Sequence, residues 1–261
     1  MLKAYFDEGE NDKVFLIGGW LADIAEWENF SQAWTTGLKV APSIEYFKNN
    51  EAMGLKEQFA GWTDQQRDEK LLALARIVAD HELIGFVCGV GLVTFKNLFS
   101  GSILPRKTLR SIIKYTEPYH FACQGVIAVT LGYQVLEAKN LSDPVDFVFD
   151  KGVRFLDDCV ANYPRLKDVL PPAASAIAGT VDSGNDRNTP ALQAADLLVG
   201  QALLSLRIGR NTSSVDILTA RKINRFPCSP SNLPTIPKAV ERLNKIWSTR
   251  RPREGKGNRA K

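Results

Sequence analysis

An aspartate stands inside the apolar run Pro190-Ala-Leu-Gln-Ala-Ala-Asp196-Leu-Leu-Val-Gly200. With Pro190 at a first helical position, these residues wind into a helix that is apolar nearly all round, the pattern of a buried element. A carboxylate in such a helix is costly unless it is paired or ligates a metal. Two further aspartates, Asp7 and Asp150, end the strand-like apolar runs Ala4-Tyr-Phe-Asp7 and Val145-Asp-Phe-Val-Phe-Asp150. Three carboxylates far apart in sequence, each at an apolar boundary, predict a common acidic centre suited to a divalent cation. Bland roles compete with this. Strand-end aspartates also start turns, and Asp196 could pair with a core arginine.

The rest of the chain alternates strand and helix signals. Lys3 to Asp7 and Lys13 to Leu21 read as a hairpin. Asp23 with Glu26, and Thr63 with Gln66, are N-cap pairs opening helices that carry Trp27, Phe30, Trp34 and Leu38, then Leu71, Leu74, Ala75 and Val78. Strands are predicted at 43–47, 83–92, 145–149 and 176–181, and helices at 115–138, 153–163 and from Pro190. The segment 182–186 reads as a polar loop, and 228–237 as a loop before a short terminal helix. This alternation predicts an α/β fold with an antiparallel pair at the start of the sheet.

The net charge of +4 is unevenly placed: the segment from Arg250 carries +5 and the remainder −1. We therefore expect a folded domain over 1–248 and a disordered basic tail over 249–261 that either solubilises the chain or seeks phosphate. Further basic runs lie at Arg106, Lys107, Arg110 and Lys114, and at Arg207, Arg210, Arg221, Lys222 and Arg225. Cys88, Cys123, Cys159 and Cys228 show no paired spacing. This predicts free thiols, no zinc site and a cytoplasmic setting. No apolar stretch approaches the roughly 20 residues of a membrane span, so no membrane partner is expected. With only His81 and His120, chemistry built on several histidines is excluded.

Strand parity puts Asp7 on the face of Tyr5, and Asp150 on that of Val148, while Glu8 points the other way. Carboxylates at neighbouring strand ends converge beside a sheet and repel one another unless a cation is present. Mg2+ or Mn2+ suits such oxygen donors, and two ions about 4 Å apart would promote phosphodiester hydrolysis. Asp182 and Glu51 are candidate additional metal ligands. Lys48, Ser183 and Gln193 are candidates for touching substrate. His120 reads as a packed histidine. Gly89-Val-Gly91 lacks the third glycine of a dinucleotide fingerprint, and neither a phosphate loop nor a Gly-x-Ser-x-Gly elbow occurs.

Six pieces occur in one order: Tyr5-Phe-Asp-Glu8, Phe15-Leu-Ile-Gly-Gly-Trp20, Phe47-Lys48 with Glu51, Val148-Phe-Asp150, Asp182-Ser183 and Leu192-Gln-Ala-Ala-Asp-Leu-Leu198. Together they resemble domain-of-unknown-function family 3800 over nearly the whole chain to Gly209, and the last piece is the most specific. The resemblance implies a ribonuclease H-like mixed sheet flanked by helices. It makes Asp7 the first-strand acid, Asp150 the later strand-end acid and Asp196 the helical acid. Family members usually continue Asp-Glu-Ser-Gly, whereas this chain reads Asp7-Glu8-Gly9-Glu10. The expected activity is metal-dependent hydrolysis of DNA or RNA by Asp7, Asp150 and Asp196. The alternative is a non-catalytic module that binds nucleic acid or protein in a defence, toxin or mobile-element system. A carboxylate glycosidase is a third reading.

Overall fold

The computed structural model describes residues 1–100, 117–137, 143–151, 156–220 and 223–227. The hairpin forms from strands β1 (Leu2–Glu10) and β2 (Val14–Asp23), in register from Leu2 opposite Asp23 to Glu10 opposite Phe15. Asn11 closes the turn by accepting hydrogen bonds from the Lys13 and Val14 amides, both at 2.9 Å. Helix α1 (Ile24–Lys39) then starts on the Asp23 side chain, which accepts from the Glu26 amide, and buries Trp27, Phe30, Trp34 and Leu38. A short helix α2 (Asn49–Met53) precedes α3 (Asp64–Asp80), whose N-terminus carries the reciprocal Thr63–Gln66 box. Strand β3 (Ile84–Gly91) and helix α4 (Leu92–Ser100) follow, then α5 (Pro118–Glu137), β4 (Val145–Asp150), α6 (Leu156–Val169) and α7 (Pro172–Ala176). The chain continues through β5 (Ala178–Gly184), α8 (Pro190–Ile208), α9 (Ser213–Ala220) and β6 (Ile223–Pro227).

The sheet runs β5-β4-β1-β2-β3-β6. Strand β2 is antiparallel to both neighbours, while β1–β4, β4–β5 and β3–β6 are parallel pairs. The first five strands give the ribonuclease H-like mixed sheet, and β6 extends its β3 edge. Two cores cover the faces. Phe6, Phe86, Phe121, Phe147 and Phe149 pack beneath α5 and α6. Trp20, Phe30, Trp34, Phe47 and Leu197 pack on the other face with α1, α3 and α8. The Trp20 indole fixes α8 to β2 by donating to the Ala194 carbonyl at 3.1 Å.

Several expectations need correction. Residues 43–47 form no strand, because their backbone groups go to side chains: the Phe47 amide donates to Gln193, and Gln58 binds the Glu45 amide and the Tyr46 carbonyl. Residues 182–184 belong to β5 rather than to a loop. Helix α8 is long and apolar enough to cross a membrane by length and composition alone, contrary to the sequence reading. In the fold it is a core helix packed on β1 and β2. Cys88 is disulfide-bonded, although Cys123 and Cys159 are free and buried. The basic tail, the runs at 106–114 and 221–222, and the loop and helix after 227 lie outside the described residues.

Two glycines give opposite expectations. A Cβ at Gly19 would run into the Tyr5 carbonyl of the paired strand, whereas one at Gly132 in α5 meets nothing within 4 Å. We expect Gly132→Ala to raise the urea midpoint through helix propensity, by up to about 1 kcal/mol. Gly19→Ala should lower it, and equal midpoints in the two variants would contradict the β1–β2 register.

Candidate functional site

The parallel register of β1 and β4 ends at Phe6 opposite Phe149, so the next position sets Asp7 beside Asp150. Both are buried, at 7% and 9% exposure, where β4 ends and β1 continues past it. Asp196 reaches the same place from α8. These three acids, with Glu8, Glu10, Lys48 and Asn49, line a cavity of about 430 Å3. A larger cavity, about 710 Å3, lies between β2, β3, α8 and α9, and no carboxylate is found among its described lining residues. The acidic cavity is therefore the place for polar chemistry.

Glu8 is the residue that sequence reasoning set aside. Alternation sends it to the opposite face, but just past the last β1–β4 pair its long side chain joins the cavity wall. Its position next to Asp7 was the available signal. The acids perturb one another strongly. Burial first, then the charges of Asp196, Glu8 and Asp150, push the Asp7 carboxyl well above the usual range, against the opposing Glu8 amide, which donates to Asp7 Oδ1 at 2.8 Å. Burial and the Asp150 charge push Glu8 up to about 7. Burial also raises Asp196 to about 7, opposed by the Asn49 amide, which donates to its Oδ2 at 2.6 Å, and by Lys48. Gly200 permits that amide contact, since a Cβ there would collide with the Asn49 side chain.

The remaining candidates separate by geometry. Lys48 does line the cavity, and its Nζ pairs with Asp186 Oδ2 at 2.7 Å. The hydrogen bond and charge of Asp186 outweigh desolvation and leave the Lys48 pKa raised. Asp186, not Asp182, is the buried acid of its segment. Asp182 and Ser183 are exposed on β5, do not line the cavity, and bond locally through the Ser183 amide to Asp182 Oδ1. Gln193 is no substrate contact, because both ends of its amide are committed. Its Oε1 accepts from Trp34 Nε1 and the Phe47 amide, at 2.8 and 3.1 Å. Its Nε2 donates to the carbonyls of Asp186 and Arg187, at 2.8 and 3.2 Å. Glu51 is buried outside the cavity lining, where its Oε1 accepts from the Tyr46 hydroxyl at 3.3 Å and its Oε2 has no hydrogen-bond partner among the described residues. His120 is buried with Nε2 3.9 Å from Asp158 and also lies outside the cavity.

Among the described residues, no group of three or more His, Cys, Asp or Glu side chains is set to hold a metal ion as it stands. The cavity is thus an acidic lining of oxygen donors rather than a closed coordination cage. Fold and site together define a ribonuclease H-like α/β protein with a carboxylate cluster where the pairing of β1 with β4 ends. No family model and no curated protein matches the chain.

The raised acids carry a pH signature. A carboxyl whose folded pKa lies above its unfolded value contributes nothing below the unfolded pKa and destabilises fully above the folded one. With chelator present, the melting temperature should therefore fall as pH rises from about 4 through about 7, the window set by Glu8 and Asp196. At pH 8, Asp196→Asn should melt roughly 3–8 °C higher than wild type, and the difference should vanish near pH 4. A flat wild-type profile would show that the acids do not interact as described.

Proposed function

We propose that this protein is a divalent-metal-dependent nuclease hydrolysing nucleic-acid phosphodiesters at the Asp7, Glu8, Asp150 and Asp196 cluster. The observation that carries the reading is that carboxylates from β1, β4 and α8 meet in one cavity and raise one another's pKa values. Acids so arranged are stabilised most simply by a cation. The donor set fits Mg2+ or Mn2+, since Mg2+ is held by one or two carboxylates and takes its other ligands from water and phosphate. Convergence of three side chains on one ion is therefore not required. The resemblance to domain-of-unknown-function family 3800 supports the reading, because the three acids it singles out all line the cavity.

Asp7 and Asp150 would offer carboxylate oxygens to divalent cations from the sheet, and Asp196 from the helix. A divalent cation, when bound, would supply Lewis-acid stabilisation of the charge that develops on a phosphodiester. The chain's own residues do the positioning. The Asn49 amide fixes Asp196 Oδ2, and the Asp186 carboxylate holds the Lys48 ammonium at the cavity wall, where it can meet a phosphate oxygen. α8 closes the apolar side of the cavity through Val199 and Leu203.

The test combines calorimetry of Mn2+ binding with cleavage of end-labelled single- and double-stranded DNA and RNA. We expect chelator-sensitive cleavage, a loss of at least about 100-fold in Asp7→Asn and Asp196→Asn, and weakened Mn2+ binding in both. Cleavage that survives either substitution, or a wild type that neither binds Mn2+ nor cleaves, would refute the proposal.

A further inference from the structure

Close in sequence to Lys48 and to its partner Asp186, a tyrosine and an arginine side chain form a cation–π pair. The Arg187 guanidinium lies over the Tyr46 ring, with Cζ 5.0 Å from the ring centroid. Arg187 is exposed and Tyr46 half-buried. The ring is tethered at its hydroxyl, which donates to the buried Glu51, and the Tyr46 backbone is held by Gln58 Nε2, which donates to its carbonyl at 3.0 Å. Tyr46 precedes Lys48 by two residues, a reach of at most about 7 Å. Arg187 follows Asp186, the partner of Lys48. The two pairs, Tyr46–Arg187 and Lys48–Asp186, thus stand side by side, the second at the cavity wall. Gln193 keeps them together, since its one amide binds the Phe47 amide on one segment and the Asp186 and Arg187 carbonyls on the other.

We propose that Tyr46 and Arg187 form a base-stacking platform at the lip of the acidic cavity, and that the substrate is a single-stranded nucleic acid. This rests on the nuclease reading above and names the substrate class of the same site. Aromatic rings and guanidinium planes bind the π-faces of unpaired bases, and they do so with little sequence preference. A duplex keeps those faces inside its own stack, so it cannot use such a surface. The positive charges of Arg187 and Lys48 favour the phosphates flanking a stacked base, beside a cavity that otherwise repels them. One base on the platform sets the neighbouring phosphodiester next to Lys48 and the acids. A platform held by hydrogen bonds costs little reorganisation when the strand arrives.

The experiment measures fluorescence anisotropy of labelled oligonucleotides, single-stranded and as the matching duplex, with Ca2+ in place of Mg2+ and again in chelator. Cleavage in Mg2+ or Mn2+ is followed separately. Wild type should prefer the single strand. Tyr46→Ala and Arg187→Ala should weaken single-strand binding roughly 5- to 100-fold and leave duplex binding unchanged. Tyr46→Phe keeps the ring and should stay within about 3-fold of wild type, which separates stacking from a folding defect. Equal affinity for the two substrates, unaltered single-strand binding in both alanine variants, or no nucleic-acid binding by wild type would each overturn the platform. Tyr46-dependent single-strand binding without cleavage in any metal would keep the platform and sink the nuclease. Cleavage with a duplex preference would do the reverse.

Discussion

One buried amide organises the functional end of this protein. Gln193 sits on the face of α8 that packs into the core, and burying its side chain is tolerable only because both ends are satisfied. Its partners are the Trp34 indole of α1, the Phe47 amide, and the two carbonyls that turn the chain into α8. Three segments remote in sequence are thereby fixed relative to one another. Lys48, Asn49 and Asp186 inherit their positions from that junction, and so does the Tyr46–Arg187 pair. Buried networks of this kind specify a unique arrangement because leaving any one member unpaired is costly.

Three residues further along the same helix, Asp196 presents the opposite case. Gln193 and Asp196 lie one turn apart on neighbouring surface of α8, yet the amide is saturated while the carboxylate faces three other acids. Its stabilising contacts are the Asn49 amide and the Lys48 charge, and they do not offset burial and repulsion, as its raised pKa records. A fold that keeps such a cluster gives up stability at neutral pH for a concentrated negative field.

Much of the scaffold was legible from local pattern. The hairpin, the Asp23 and Thr63 caps, and the buried stripes of α1 and α3 follow from signals within a few residues of one another. The segment 43–47 failed for a physical reason: its extended, apolar character satisfied the strand signal, but its hydrogen-bonding partners are the side chains of Gln58 and Gln193. Glu8 failed because alternation describes where a side chain leaves the strand, not where a flexible one ends once the neighbouring strand β4 no longer pairs beside it. Asp182 lies outside the cavity because β5 extends to Gly184, which carries Asp182 into solvent, while Asp186 turns inward to pair with Lys48.

The sequence by itself determined the α/β alternation, the helix starts, and the fact that an acid at 196 had to be explained, because periodicity, capping and the cost of burying charge are local properties. It also singled out Asp7 and Asp150, since each closes an apolar run. Only the tertiary structure decided that these acids share a cavity with Glu8, that Gln193 is a clamp rather than a ligand, and that Lys48 answers to Asp186. Those outcomes depend on the parallel register of β1 with β4 and on the seating of α8 across β1 and β2. Contacts of that range join segments well over a hundred residues apart, and no local pattern encodes which polar group will find a partner there.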